Sequence, residues 1–213
     1  LDSGGNRPWV GPYDPDGWTY SMDLGREALG MGFAEIQWDY VRFPDVTDSV
    51  RAGMVFPAHA GRSAADGIEQ FVAASRSELA AFDAPITVDV FGRVVTTNGE
   101  DGIGQDWDQL TQIVDVILLM VYPALYSPGS FGLPNPNAEP YLLVRAAMDS
   151  AVARAGRSGV IRASIRPWLQ AFTQGSPPYG AQQMLDQIRA VEDAGLEEWL
   201  FWNPDGVYPA GWP

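Results

Sequence analysis

Apolar residues recur at helical spacing in two early segments of the chain. In 17–31, Leu24, Ala28 and Leu29 share one side while Arg26 and Glu27 take the other. In 64–82, Ile68, Phe71, Val72 and Leu79 form the apolar stripe. Runs of β-forming residues at 34–41, 85–91, 114–121, 159–165 and 197–202 predict strands. The 114–121 run is apolar throughout, as expected of a strand buried on both faces. Helical patterns at 105–113, 139–155 and 178–194 fill the intervals. Residues 1–16 are rich in Gly, Pro and Asp and read as loop. Residues 42–62 and 92–104 read as long irregular excursions, a length usually kept for function or motion.

Helices alternating with strands in this way predict βα units around a parallel sheet. No short repeat or low-complexity segment interrupts them. A doubly wound sheet would concentrate polar residues at one switch point and carry a Gly-rich phosphate loop. Here the polar and aromatic residues fall at the end of every strand: Asp39, Asp89, Tyr122, Arg166 and Trp202. That distribution predicts a (β/α)8 TIM-barrel type of fold, whose active site gathers side chains from many strand ends. Only about five βα units are visible, so the first strands are expected to be lacking. The expectation is a single partial barrel domain over 1–213, completed by an N-terminal segment or a second chain.

The segment Glu35-Ile-Gln-Trp-Asp-Tyr-Val-Arg-Phe-Pro-Asp45 carries the most chemistry. Side chains alternate along a strand, so Glu35, Gln37 and Asp39 share one face and Ile36, Trp38 and Tyr40 the other. A polar face on a strand suited to burial is costly unless its groups are paired or used. Asp39 precedes a Pro-containing loop, and Asp89 ends the next strand in the same way. Glycoside hydrolysis needs two carboxyl groups flanking the bond. Adjacent strands lie about 4.8 Å apart, so the two aspartates can approach the ~5–5.5 Å separation of a retaining pair. Asp39 is assigned as nucleophile or stabiliser and Asp89 as acid/base, with the reverse left open because sequence does not reveal which pKa is raised. Salt bridges to Arg42, Arg93 or Arg166 are the structural alternative. Glu35 lies one layer lower and can tune Asp39. Glu100 and Asp101 are reserve acids.

Charge and composition narrow the classes. The net charge is −14, and all 13 basic residues are Arg. An acidic surface disfavours nucleic acid and anionic membranes and suits neutral sugars. There is no Cys, hence no disulfide, thiolate chemistry or Cys-based zinc site. His59 is the single histidine and has no nucleophile elbow nearby, which weakens any Ser-His-Asp reading. Asp14, Asp16, Asp45 and Asp48 fit no EF-hand spacing and read as turn residues, so no metal or other cofactor is expected. No apolar run is long enough to span a membrane, and the chain opens without a signal peptide.

Aromatic residues are abundant, with 8 Trp and 12% aromatics overall. Sugar rings present apolar faces that stack on such side chains. Trp168, Trp202 and Tyr122 at strand ends are expected to bind substrate, with Gln170 and Asn203 bonding sugar edges. Arg42 and Arg166 are expected to flank the carboxylates or bind an acidic or acetylated sugar. Trp38 reads as core, and Tyr126, Phe131 and Trp107 as loop packing.

The ordered motifs Ile36 to Pro44, Asp89-Val-Phe-Gly92, Gly104-Gln-Asp106, Met120-Val-Tyr-Pro123, Arg166-Pro-Trp-Leu-Gln170 and Trp199 to Asn203 resemble the bacterial "putative glycosyl hydrolase domain" family. The resemblance covers nearly the whole chain and departs at the front. It implies a barrel glycosidase acting on a polysaccharide, outside the cell or at its envelope. Two other readings stay open: a non-catalytic barrel that binds carbohydrate or cell wall, and a hydrolase of amide or ester bonds.

Overall fold

The computed structural model describes residues 9–56, 59–100, 102–157 and 162–208. The chain divides into two units: one from Leu1–Asp89 and Thr97–Val116, the other from Val90–Thr96 and Ile117–Pro213.

In the first unit, helix α1 (Pro15–Gly30) starts where the Asp14 side chain accepts from Asp16 N, with Pro15 at its first position. Strand β1 (Ile36–Trp38) follows, then a single helical turn, α2 (Asp48–Arg51), inside the expected loop. Helix α3 (Ala64–Glu78) opens with a capping box between Ser63 and Asp66. Strand β2 (Ile86–Phe91) runs parallel to β1, pairing Ile36 with Ile86, Gln37 with Thr87 and Trp38 with Val88. Leu29, Ile36, Leu79 and Ile86 form a core cluster against which Trp38 packs. Trp38 also meets the Phe71 ring at 5.3 Å and donates to Ser75 Oγ, as expected of a core residue. Gly25 of α1 makes room for it, since a Cβ there would lie 3.2 Å from the indole. Helix α4 (Trp107–Ile113) completes this unit, capped by Asp106.

In the second unit, the buried strand β3 (Val116–Val121), which starts at the boundary, is parallel to β5 (Trp168–Gln170), and β5 to β6 (Leu200–Trp202). Helices α5 (Pro140–Arg157) and α6 (Ala181–Asp193) pack together against these strands.

Helices alternate with parallel strands as expected, with corrections at the edges. The strand expected at 34–41 stops at Trp38, because Tyr40 turns the backbone into the left-handed region at φ 56°. The strand expected at 159–165 is two short ones: β4 (Ser164–Ile165), paired with β3, and β5. Pro167, which has no N–H for a ladder, separates them. Trp168 and Gln170 therefore sit within a strand rather than after one. Part of that expected segment, 158–161, lies outside the described residues, as does Asp101.

Candidate active site

The polar face of β1 and β2 is knitted together from below. Thr87 donates to Glu35 Oε1 at 3.2 Å, and one layer higher Gln37 Nε2 donates to both Asp89 oxygens at 2.8 Å. Asp89 is only 5% exposed. Gln105, buried beside it, donates to Asp89 O at 3.0 Å and to Val41 O at 3.1 Å, tying β2 to the segment that follows β1. Sequence reasoning placed Gln37 on this face without giving it a partner, and it missed Gln105. The signal was present: amides at positions that must be buried demand partners.

Asp39 and Asp89 each lie one residue past the last paired position, Trp38 with Val88. Asp89 continues along β2, whereas β1 ends at Trp38, so Asp39 lies just beyond the ladder at the start of the turn. Asp39 is exposed, and its Oδ1 accepts from Tyr40 N at 2.6 Å. The left-handed Tyr40 costs on the order of 1–2 kcal/mol, because its Cβ crowds the following carbonyl. Arg42 N donates to Tyr40 O at 2.8 Å, closing a tight turn directly after the acid. The Arg42 guanidinium lies over both the Tyr40 and Trp9 rings, at 5.1 and 5.2 Å, and Nη1 donates to Phe43 O. Arg166 forms an ion pair with Glu198 at 3.1 Å.

The second unit holds a cavity of about 770 Å³ lined by Tyr122, Phe172, Tyr179, Trp202, Asn203 and Tyr208, among others. Asp205 is the one acid or base, tyrosines aside, in its lining. Trp202 is 46% exposed and meets Trp168 edge-on at 6.1 Å, and Tyr122 meets Phe172 at 5.7 Å. Three of the expected sugar contacts, Tyr122, Trp202 and Asn203, thus line one cavity. Two amides are corrected in role. Gln170 is 0% exposed, accepts from Ala124 N and donates to Phe172 O and Asn137 Oδ1. It builds the floor of the loops instead of facing a ligand. Asn203 Nδ2 donates to Ala171 O and Val207 O, and its Oδ1 accepts from Asp205 N, so its amide shapes the loop after β6.

The model of the family described as "Putative glycosyl hydrolase domain" matches residues 2–208. The chain belongs to this family. Among solved structures, it is similar to the PgaB (BpsB) glycoside hydrolase domain from Bordetella bronchiseptica. That match has a TM-score of 0.63 and 13% identity, over 96% of this chain and 63% of the other. It is also similar to the spore cortex-lytic enzyme SleL of Bacillus megaterium, with a TM-score of 0.60 and 10% identity, over 95% of this chain and 53% of the other. The Bacillus cereus SleL gives a TM-score of 0.59 and 12% identity, over 94% and 53%. The chain thus spans between half and two thirds of the length of these solved chains. No curated protein matches it. The likeness establishes a mixed α/β fold of the TIM-barrel glycosidase type.

Other groups in the chain play lesser parts. Loss of hydration pushes the Glu100 carboxyl up, against backbone N–H groups of Gly104 and Ala65 and the Arg51 charge, which pull it down. His59 is exposed, with Nδ1 accepting from Gly61 N. Trp107 is fully buried in α4, a core residue rather than loop packing, while Tyr126 and Phe131 meet at 6.0 Å in the loop after β3. Among the described residues, no group of three or more His, Asp or Glu is placed to hold a metal, and no helix is long and apolar enough to cross a membrane.

Proposed function

We propose that the chain cleaves glycosidic bonds of a polysaccharide with Asp39 and Asp89 as its two carboxyl groups and no organic cofactor. The observation that carries the reading is Asp89: a buried carboxylate within β2, bonded through both oxygens to Gln37 on the neighbouring strand, one residue past the last β1–β2 pair. This supports Asp89 as nucleophile or base and the solvent-facing Asp39 as proton donor, one of the two assignments the sequence left open. As the glycosidic bond breaks, Asp39 gives its proton to the leaving oxygen while Asp89 attacks the anomeric carbon or activates water. Trp202 and Tyr122 supply stacking surface for sugar rings. The names of the SleL enzymes favour an envelope polysaccharide as substrate and a place outside the cell or at its envelope.

The test is a comparison of Asp39→Asn and Asp89→Asn on a polysaccharide panel and on aryl glycosides with a good leaving group. Asp89→Asn is expected to lose turnover on both substrates. Asp39→Asn is expected to lose it on polysaccharide yet keep much of it on the activated glycoside, which needs no proton donor. Wild-type turnover in either variant removes that residue from the mechanism. Glycan binding by a wild-type protein that hydrolyses nothing moves the reading to a carbohydrate-binding barrel.

A further inference from the structure

The first unit contains a second concave surface, of about 620 Å³, that shares Asp39. Its walls carry Trp9, Trp18, Tyr20, Trp38, Tyr40 and Phe71. The indole N–H groups of Trp18 and Trp38 are already bonded, to Pro12 O and Ser75 Oγ, so these two rings offer carbon surface. Tyr20 is 72% and Tyr40 66% exposed, both in the lining of this cleft. Tyr40 reaches this position only through its left-handed backbone. Arg42 then fills the space between the Tyr40 and Trp9 rings and fixes both. Strain kept next to a candidate acid, where it exposes an aromatic ring, is a mark of a binding role.

We propose that the Trp9–Tyr40 cleft is a carbohydrate subsite. Its occupant is a neutral sugar segment of the same glycan whose bond meets Asp39. Only the identity of the occupant rests on the glycosidase reading; the cleft itself stands on geometry. Aromatic faces suit the apolar faces of pyranose rings, and the cavity is of ordinary ligand-site size. Asp39 and Asp16 in the lining, on a chain of net charge −14, disfavour a polyanion. Arg42 has its charge taken up by two rings and acts as a spacer that holds the platform open.

The test uses the Asp89→Asn background, in which hydrolysis does not interfere. Binding of neutral cello-, manno-, xylo- and chito-oligosaccharides is titrated by tryptophan fluorescence and calorimetry, comparing each disaccharide with its hexasaccharide. A hexasaccharide is expected to bind, and Trp9→Ala and Tyr40→Ala each to weaken it about tenfold, the worth of one stacking contact. Tyr40→Phe is expected to retain affinity. Tyr40→Gly, which adopts the left-handed backbone without penalty, is expected to melt no lower than the parent while binding as poorly as Tyr40→Ala. That combination separates a subsite from a structural role. Unchanged affinity in Trp9→Ala and Tyr40→Ala, or binding by no member of the panel, overturns the subsite. Weakened binding alongside a wild-type protein that hydrolyses nothing leaves the subsite standing and removes only the glycosidase reading.

Discussion

Gln37 Nε2 stands 2.8 Å from each carboxylate oxygen of Asp89, with the carboxylate almost wholly removed from water. A single amide therefore holds both oxygens on the strand side. Gln37→Leu keeps the volume and deletes the donor. We expect it to lower unfolding free energy by about 1–3 kcal/mol, the loss of a hydrogen bond to a buried carboxyl group, and to reduce turnover more than substrate binding. Denaturant titration and the separation of kcat from KM check this. An effect on KM alone would show that Gln37 contacts the glycan instead.

Sequence conveyed the alternation of elements because periodicity is local: the stripe of α3 and the apolar run of β3 needed no partner to be recognised, whereas α1 buries Met22, Gly25 and Leu29 and turns the expected Leu24 outward. It also placed Glu35 and Gln37 on one face, while Asp39, expected there too, falls beyond the end of β1. The partners on that face were not legible, because Gln37 and Asp89 are brought together only by the β1–β2 register, and Gln105 arrives from a later loop. For the same reason Gln170 and Asn203 looked like sugar ligands: amides at strand ends fit that part equally well until their backbone partners are known. The break at Pro167 was written in the sequence, yet the short strand after it was hidden by its length of three residues.

Asp66 at the start of α3 gives a pH-dependent stability. The backbone N–H of Ser63, and then its side chain, hold the Asp66 carboxyl below the ordinary 3.8. The folded state thus binds this proton less tightly than the unfolded chain. The stabilisation is fully present above 3.8 and is lost as pH falls through the lowered folded value. We expect Asp66→Asn to melt below wild type at neutral pH, and the gap to close in strong acid. Thermal melts across that range check it; a gap that persists in acid would assign the effect to the cap geometry alone.

Gly92 and Tyr126 form a matched pair in the second unit. The Tyr126 hydroxyl occupies the space where a Gly92 side chain would begin, and a Cβ there would also lie 2.8 Å from Met120 O. That hydroxyl is buried without a hydrogen-bond partner, and burial pushes its pKa up. Tyr126→Phe removes an unsatisfied group from the interior and is expected to be neutral or to stabilise by up to about 1 kcal/mol. Gly92→Ala is expected to destabilise by about 1–3 kcal/mol through overpacking. In the double variant only part of that loss is recovered, because the Met120 carbonyl still crowds the added methyl. A double-variant cycle by chemical denaturation reads the coupling.

Gln170 separates scaffold from ligand contact most sharply. Its side chain accepts from Ala124 N at 2.9 Å and donates to Phe172 O at 2.9 Å, and its own backbone is clasped by Gln187, at 2.9 Å to N and 2.8 Å to O. The turn bearing Ala124 follows Tyr122, and Phe172 lines the same cavity, so one buried amide sets two of its walls. Gln170→Leu would deprive the part-buried Ala124 N–H and Phe172 carbonyl of their partner. The expected loss is on the order of 3 kcal/mol in stability. Glycan affinity in the folded fraction is expected to fall only as far as the walls shift, and a crystal structure of the variant would show Phe172 displaced. A Gln170→Leu protein that melts as wild type yet binds glycan poorly would return Gln170 to the substrate contacts.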